Sequence, residues 1–86
     1  MITVEFYGIP RARAGVASIK IEAATIGDAI NSLAEQFSEL ARDCFSGQQL
    51  KVGYLANVNG SQFTTDPSQP LSEGDSLLIM SADSGG

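Results

Sequence analysis

The sequence predicts an α+β domain: a mixed sheet of four to five strands with one main helix packed on one face. Three observations predict it. Short segments near both ends alternate apolar and polar residues, a long run between them repeats its apolar residues at helical spacing, and 86 residues suffice for one small core and no second.

In Ile2–Tyr7 the residues Ile2, Val4 and Phe6 fall on one side and Thr3, Glu5 and Tyr7 on the other, the period of a strand. "GIPRARAG" then breaks the pattern with Gly8, Pro10 and Gly15, so a loop is expected. "ASIKIEA" sets Ala17, Ile19 and Ile21 against Lys20 and Glu22, a second strand that completes a hairpin. Ile26, Ala29, Ile30, Leu33, Phe37, Leu40, Ala41 and Cys44 recur at three and four residues, which predicts one continuous helix. Thr25 is placed as its N-cap, Asp28 complements the dipole, and Gly47 is a stop signal within a few residues. "KVGYLANV" predicts a strand running into Asn59-Gly60, a two-residue hairpin turn, with "SQFT" as a short return strand. "TDPSQPLSEGDS" is a connector, and "SLLIM" is the last strand. The order strand, strand, helix, strand, short strand, strand, with one helix to cover one sheet face, is the β-grasp or ubiquitin-like plan. Residues 1–80 are expected to form this domain and residues 81–86 a C-terminal tail ending in Gly-Gly.

Composition narrows the function classes. A net charge of −5 with only five Lys and Arg residues opposes binding along a phosphate backbone, so no nucleic-acid partner is expected. "MITVEFYG" has neither a basic n-region nor a continuous apolar h-region, and no stretch approaches the roughly 18 apolar residues of a membrane span. With no membrane association expected and a single cysteine that excludes an internal disulfide, a cytoplasmic location is the expectation. There is no histidine, the commonest general base and metal ligand, and no phosphate-binding glycine motif. Cys44 lies on the apolar helical stripe and reads as a small buried hydrophobe; Glu73 and Asp75 read as a solvated turn. We therefore expect no metal, no cofactor bound by this chain alone, and no catalysis by the chain on its own.

The tail "SADSGG" remains. Residues without Cβ atoms thread a narrow channel, adopt φ of either sign and present an unhindered carboxylate. Ordering them costs about 1 to 2 kcal/mol each, so such a tail makes sense beside a docking surface that supplies binding energy. Taken alone, the two glycines are better accounted for by a frayed or truncated end.

Four further features resemble the MoaD/ThiS sulfur-carrier family, most closely the small subunit of molybdopterin synthase. They are "ITVEFYG" followed by Arg11 and Gly15, "TIGDAINSL" at the helix start, "ANVNG" at the hairpin, and "PLSEGDSLLIM" before the terminal Gly-Gly. The resemblance covers nearly the whole chain. It implies that an E1-like adenylating enzyme uses ATP and magnesium to turn the Gly86 carboxylate into an acyl adenylate. Sulfur from a persulfide donor then displaces AMP, leaving a thiocarboxylate on Gly86 for a larger molybdopterin synthase subunit to use in molybdenum cofactor biosynthesis. On this reading Gly86 reacts, while Gly85, Ser84 and Asp83 give it access. Two departures stand out: Ser81 and Ala82 occupy positions where prolines are usual, and Arg11-Ala12 replaces an Arg-Glu pair. The same activation also serves a ubiquitin-like modifier conjugated through Gly86, or a sulfur carrier for thiamine, cysteine or tRNA thiolation; a non-covalent interaction module is the third class.

Strand alternation also proposes a partner interface. With Phe6, Leu77 and Ile79 under the helix, Tyr7, Leu78 and Met80 point to the opposite face. First and last strands are parallel neighbours in this fold, so Tyr7 and Met80 are expected to be exposed near the tail, with Phe63 extending the patch. Edge packing is the alternative role for Tyr7 and Phe63.

Overall fold

The alternation of Ile2, Val4 and Phe6 is realised as strand β1 (Ile2–Tyr7) in the computed structural model, which describes residues 1–83. The chain continues through α1 (Ile9–Ala14), β2 (Ser18–Ile21), α2 (Ile26–Gln36) and α3 (Ser38–Cys44). It then forms a minimal hairpin of β3 (Phe45–Ser46) and β4 (Gln49–Leu50), followed by β5 (Tyr54–Val58), β6 (Gln62–Thr64) and β7 (Ser76–Ser81). Five strands make one mixed sheet in the order β2-β1-β7-β5-β6. The last strand is therefore the central one, parallel to β1 with Tyr7 opposite Met80 and antiparallel to β5 with Leu55 opposite Met80.

The inner sheet face carries Ile2, Val4, Phe6, Leu77, Ile79, Ala56 and Val58 into the core, where they meet Ile26, Ala29, Ile30, Leu33, Leu40 and Cys44 from the helices. Each large side chain so buried contributes about 1.5 to 3 kcal/mol. The expected β-grasp arrangement is present, with Thr25 Oγ1 accepting the Asp28 N–H at 3.1 Å as the N-cap of α2.

Four local expectations are corrected. "GIPRARAG" is a short helix rather than a loop. Pro10 sits in the first turn, where its missing N–H has no intrahelical partner to lose, and Gly15 closes the helix at φ 77° with its N–H donating to the Arg11 carbonyl. The residues that read as breakers mark the helix ends. The long helical stripe is two helices, because Phe37 leaves helical geometry at φ −129°, ψ 89°. Its ring packs edge-on against Phe6 at 5.9 Å, and its N–H still donates to the Leu33 carbonyl, so the apolar periodicity runs on through the break. The strand expected from Lys51 starts only at Tyr54, after a turn at Val52 and Gly53; Gly47, at φ 61°, belongs to the β3–β4 turn and not to the helix end.

Redirecting α3 brings it beside α1, where Arg13 Nε donates to Asp43 Oδ2 at 2.5 Å. Arg42 donates to both oxygens of the same carboxylate. The Arg42 hydrogen bonds, and then that from Arg13, hold the Asp43 carboxyl well below the usual carboxylate range.

The Asn59-Gly60 turn has φ of 56° and 72°, as a two-residue hairpin requires. Asn59 also ties the hairpin to the Gly74-Asp75 turn. Its Nδ2 donates to Asp75 Oδ1 at 3.0 Å, its Oδ1 accepts the Ser76 N–H at 2.8 Å, and its own N–H donates to the Ser76 carbonyl at 2.8 Å. Asp75 Oδ2 in turn accepts the Ser72 N–H at 2.8 Å, which with the Asn59 contact holds its carboxyl below the ordinary value. The "VNG" and "L-x-x-GD" segments are thus two halves of one hydrogen-bonded lock at the start of β7. The connector before it is strapped to α2: Gly27 N–H donates to the Pro67 carbonyl at 2.8 Å, and a Cβ on Gly27 would approach that oxygen to 3.1 Å.

Two outcomes are expected. Asn59→Ala loses two side-chain hydrogen bonds and replaces an asparagine, which tolerates positive φ, by a residue that does so less well, so urea unfolding should show a loss of about 2 kcal/mol with unchanged m, and Asn59→Gly a smaller loss. Because the Asp43 carboxyl is depressed in the folded state, its contribution is present above the aspartate value of the unfolded chain and is lost as pH falls below about 4. Asp43→Asn should therefore flatten the acid limb of the urea midpoint plotted against pH.

Candidate docking face and tail root

The sheet has helices on one side only, and its other face is organised by register. One row crosses β1, β7 and β5 as Tyr7, Met80 and Leu55; the next crosses β1, β7, β5 and β6 as Glu5, Leu78, Asn57 and Phe63. Tyr7 and Phe63 are 51% and 64% exposed, as expected for an outward apolar face. Met80 is not: at 5% exposure it is buried, which corrects the expectation of an exposed methionine. It points outward, yet it lies on the central strand with Tyr7 and Leu55 about 5 Å away on either side, and bulky flanking chains close over a middle one. The register joins Phe63 to this face through Asn57 and Leu78 rather than through Met80.

Sequence reasoning missed Asn57. As a polar residue on the outward side of a strand it reads as solvated, but it lies between Leu78 and Phe63 and is only 5% exposed. Its Oδ1 is buried and accepts no hydrogen bond from any described residue. An unsatisfied buried acceptor costs about 1 to 3 kcal/mol. The signal available beforehand was "LANVN", where a polar residue interrupts an apolar run.

The root of the tail is held by the same central strand. Ser81 faces Tyr54, and the Ala82 N–H donates to the Gly53 carbonyl at 2.8 Å, so pairing with the β5 side continues one residue past β7. Gly8, Ile9 and Ala12 line a shallow groove with Ser81 and Asp83. Exposed Ile9 and Tyr7 stand on the α1 side of this root, and Val52, fully exposed at its turn, lies next to Gly53. Asp83 is exposed at the end of the described chain. Ser84, Gly85 and Gly86, named above for access and reaction, lie outside the described residues.

The remaining chemistry is structural. Cys44 is buried, and burial pushes its thiol up from the ordinary value while a hydrogen bond with Tyr54 opposes the shift. Glu73 pairs with the Met1 amine and Asp75 is spent on the turn lock, so they do not form an acid and base pair. Among the described residues no group of three His, Cys, Asp or Glu side chains is arranged to hold a metal, and no helix is long and apolar enough to cross a membrane. What the arrangement can do is present an apolar face and a firmly anchored strand whose continuation is the chain end.

No protein-family model matches the chain, and no curated protein is significantly similar in sequence. Solved structures are similar in fold. CysO in the Amycolatopsis orientalis BexX/CysO complex shares 21% identity over the whole of both chains with a TM-score of 0.81. Small archaeal modifier protein 1 from Haloferax volcanii shares 20% identity over 99% of this chain and 98% of its own, with a TM-score of 0.79. A Pyrococcus furiosus chain described as molybdopterin converting factor subunit 1 shares 20% identity over 93% and 94%, with a TM-score of 0.75. At these identities the likeness establishes the fold, a ubiquitin-like β-grasp.

Two measurements check the site. Native protein should leave Cys44 unmodified by a chromogenic disulfide reagent and titrate one thiol in denaturant. Tyr7→Asp, at a half-exposed position that covers one side of Met80, should lower the urea midpoint only slightly, whereas Met80→Asp, which buries a charge, should lose at least about 2 kcal/mol.

Proposed function

We propose that this chain is a sulfur carrier, a substrate and subunit rather than an enzyme on its own, and that Gly86 is the residue that carries the sulfur. The Gly86 carboxylate attacks the α-phosphorus of ATP on an adenylating partner that supplies the magnesium and the nucleotide site. Pyrophosphate leaves, and the chain holds a mixed anhydride with AMP. The terminal sulfur of a persulfide donor attacks the carbonyl carbon and AMP departs. A second thiol then cleaves the resulting acyl disulfide, leaving a thiocarboxylate on Gly86 and a disulfide on the donor side. Gly85, Ser84 and Asp83 form the segment that enters the partner's channel.

The observation that carries this reading is the position of β7. The strand that leads to the reacting end is the central strand of the sheet, hydrogen-bonded on both sides, and its outward residues Leu78 and Met80 belong to the apolar face. A partner that binds this face is thereby held at a fixed distance from the tail root, so binding energy gained at the sheet offsets the ordering of the tail.

For the recipient we propose the larger subunit of a molybdopterin synthase, in keeping with the "VNG" and "L-x-x-GD" lock, the order of the motifs and the likeness to a molybdopterin converting factor subunit. A second reading has its own support. Ser81 and Ala82 stand where prolines would stiffen a molybdopterin-type tail, and small archaeal modifier protein 1 shares the fold over nearly the whole chain. On that reading the acyl adenylate is resolved by a lysine amine of a target protein.

Incubation of the full chain with the adenylating enzyme of its own genome should support ATP–pyrophosphate exchange that is lost on deletion of Gly86. Retention of full exchange without Gly86 would refute both covalent readings.

A further inference from the structure

Leu55, Phe63, Leu78 and Met80 make an apolar patch on the outer sheet face, and within it the Oδ1 of Asn57 is buried without a donor among the described residues. No described residue uses this oxygen. The residue is walled by Leu78 and Phe63 in its own row, and Met80 and Leu55 make up the adjoining one. On the remaining side the row is polar, with Thr3 and Ser76, so Asn57 is a buried polar group bounded by apolar neighbours on three sides, an arrangement that suits the desolvated centre of an interface. Glu5 lies in the same row, one strand beyond Leu78. It brings negative charge to the face of a chain whose net charge is −5.

We propose that Asn57 is the specificity-determining residue of this face and that it accepts a hydrogen bond from an arginine of the adenylating partner. The inference rests on the carrier reading above and names the chemistry of its docking partner. The complement to an orphaned acceptor is a donor. The complement to Glu5 and the acidic chain is a cation. A guanidinium meets both demands better than an ammonium: it is more weakly hydrated, its apolar stem lies along Leu78 and Met80, and its plane stacks on the exposed Phe63 ring. The amide turns about χ2, a soft torsion, to bring Oδ1 toward the incoming donor. An unpaired acceptor also penalises a partner surface that is purely apolar, since docking would seal the oxygen away without a hydrogen bond.

The test is the KM for the full chain in ATP–pyrophosphate exchange with the adenylating enzyme of the same genome, measured at low and high salt. Asn57→Leu keeps the volume and removes the acceptor. It should raise KM about tenfold, equivalent to about 1.4 kcal/mol, with kcat unchanged and a urea midpoint no lower than that of the wild type. Asn57→Asp, which offers a charged acceptor, should match or improve on the wild-type KM at low salt and lose that advantage as salt rises. Glu5→Gln alters only an exposed position and remains informative if the aspartate variant folds poorly; it should raise KM about two- to threefold and flatten the salt dependence. A wild-type KM for Asn57→Leu overturns the assignment, as does a salt dependence that Glu5→Gln leaves intact. A folded Asn57→Asp variant as weak as Asn57→Leu does the same. Absence of exchange with the wild-type chain would instead refute the carrier reading itself, and the inference with it.

Discussion

The structure depends on the pairing of its last strand between its first and its third long one. Parallel pairing of β7 with β1 has to close across nearly the whole chain, with Val4 opposite Leu77 and Tyr7 opposite Met80. Everything between must fold so as to bring those residues together. The helices supply the apolar cover for one face, and the connector straps onto the start of α2 through Gly27, Pro67 and Gln69. The hydrogen-bonded lock of Asn59 and Asp75 sets where β7 begins. At the other end, the Ala82 contact with Gly53 fixes where the strand hands over to the tail.

That constraint separates the two jobs of the polypeptide. The inner face of β7, Leu77 and Ile79, is wholly buried and holds the fold, while its outer face, Leu78 and Met80, belongs to the exposed side of the sheet. Stability and presentation alternate residue by residue along one strand. The ionisable groups follow the same economy. Asp43 clamps α1 to α3, Asp75 closes a turn, and Cys44 is a buried packing residue with a raised thiol, so none of them is poised for acid, base or nucleophilic work.

Much of this was legible in the sequence because strand and helix periods sort residues by face. The alternation of Ile2, Val4 and Phe6, the stripe from Ile26 to Cys44 and the Asn59-Gly60 turn are local signals, and the β-grasp order follows from them. The misreadings share a cause. Gly8, Pro10 and Gly15 were read as breakers, whereas the same φ preferences also start and stop a six-residue helix. The break at Phe37 is invisible to periodicity because the apolar spacing continues through it. Alternation places Met80 on the correct face and leaves Asn57 unremarked; the burial of both is set by cross-strand neighbours, Tyr7 and Leu55 for one and Leu78 and Phe63 for the other, which no local pattern names.

We propose that this domain works by carrying a reactive chain end beside a docking face. The most direct test is the intact mass of the protein isolated from its own cells, mapped to the C-terminal peptide. The result expected is replacement of one oxygen by sulfur at Gly86, with alkylation of the thiocarboxylate confirming its position. A C-terminal carboxylate that remains unaltered in every preparation, with no conjugate of higher mass, would contradict the account.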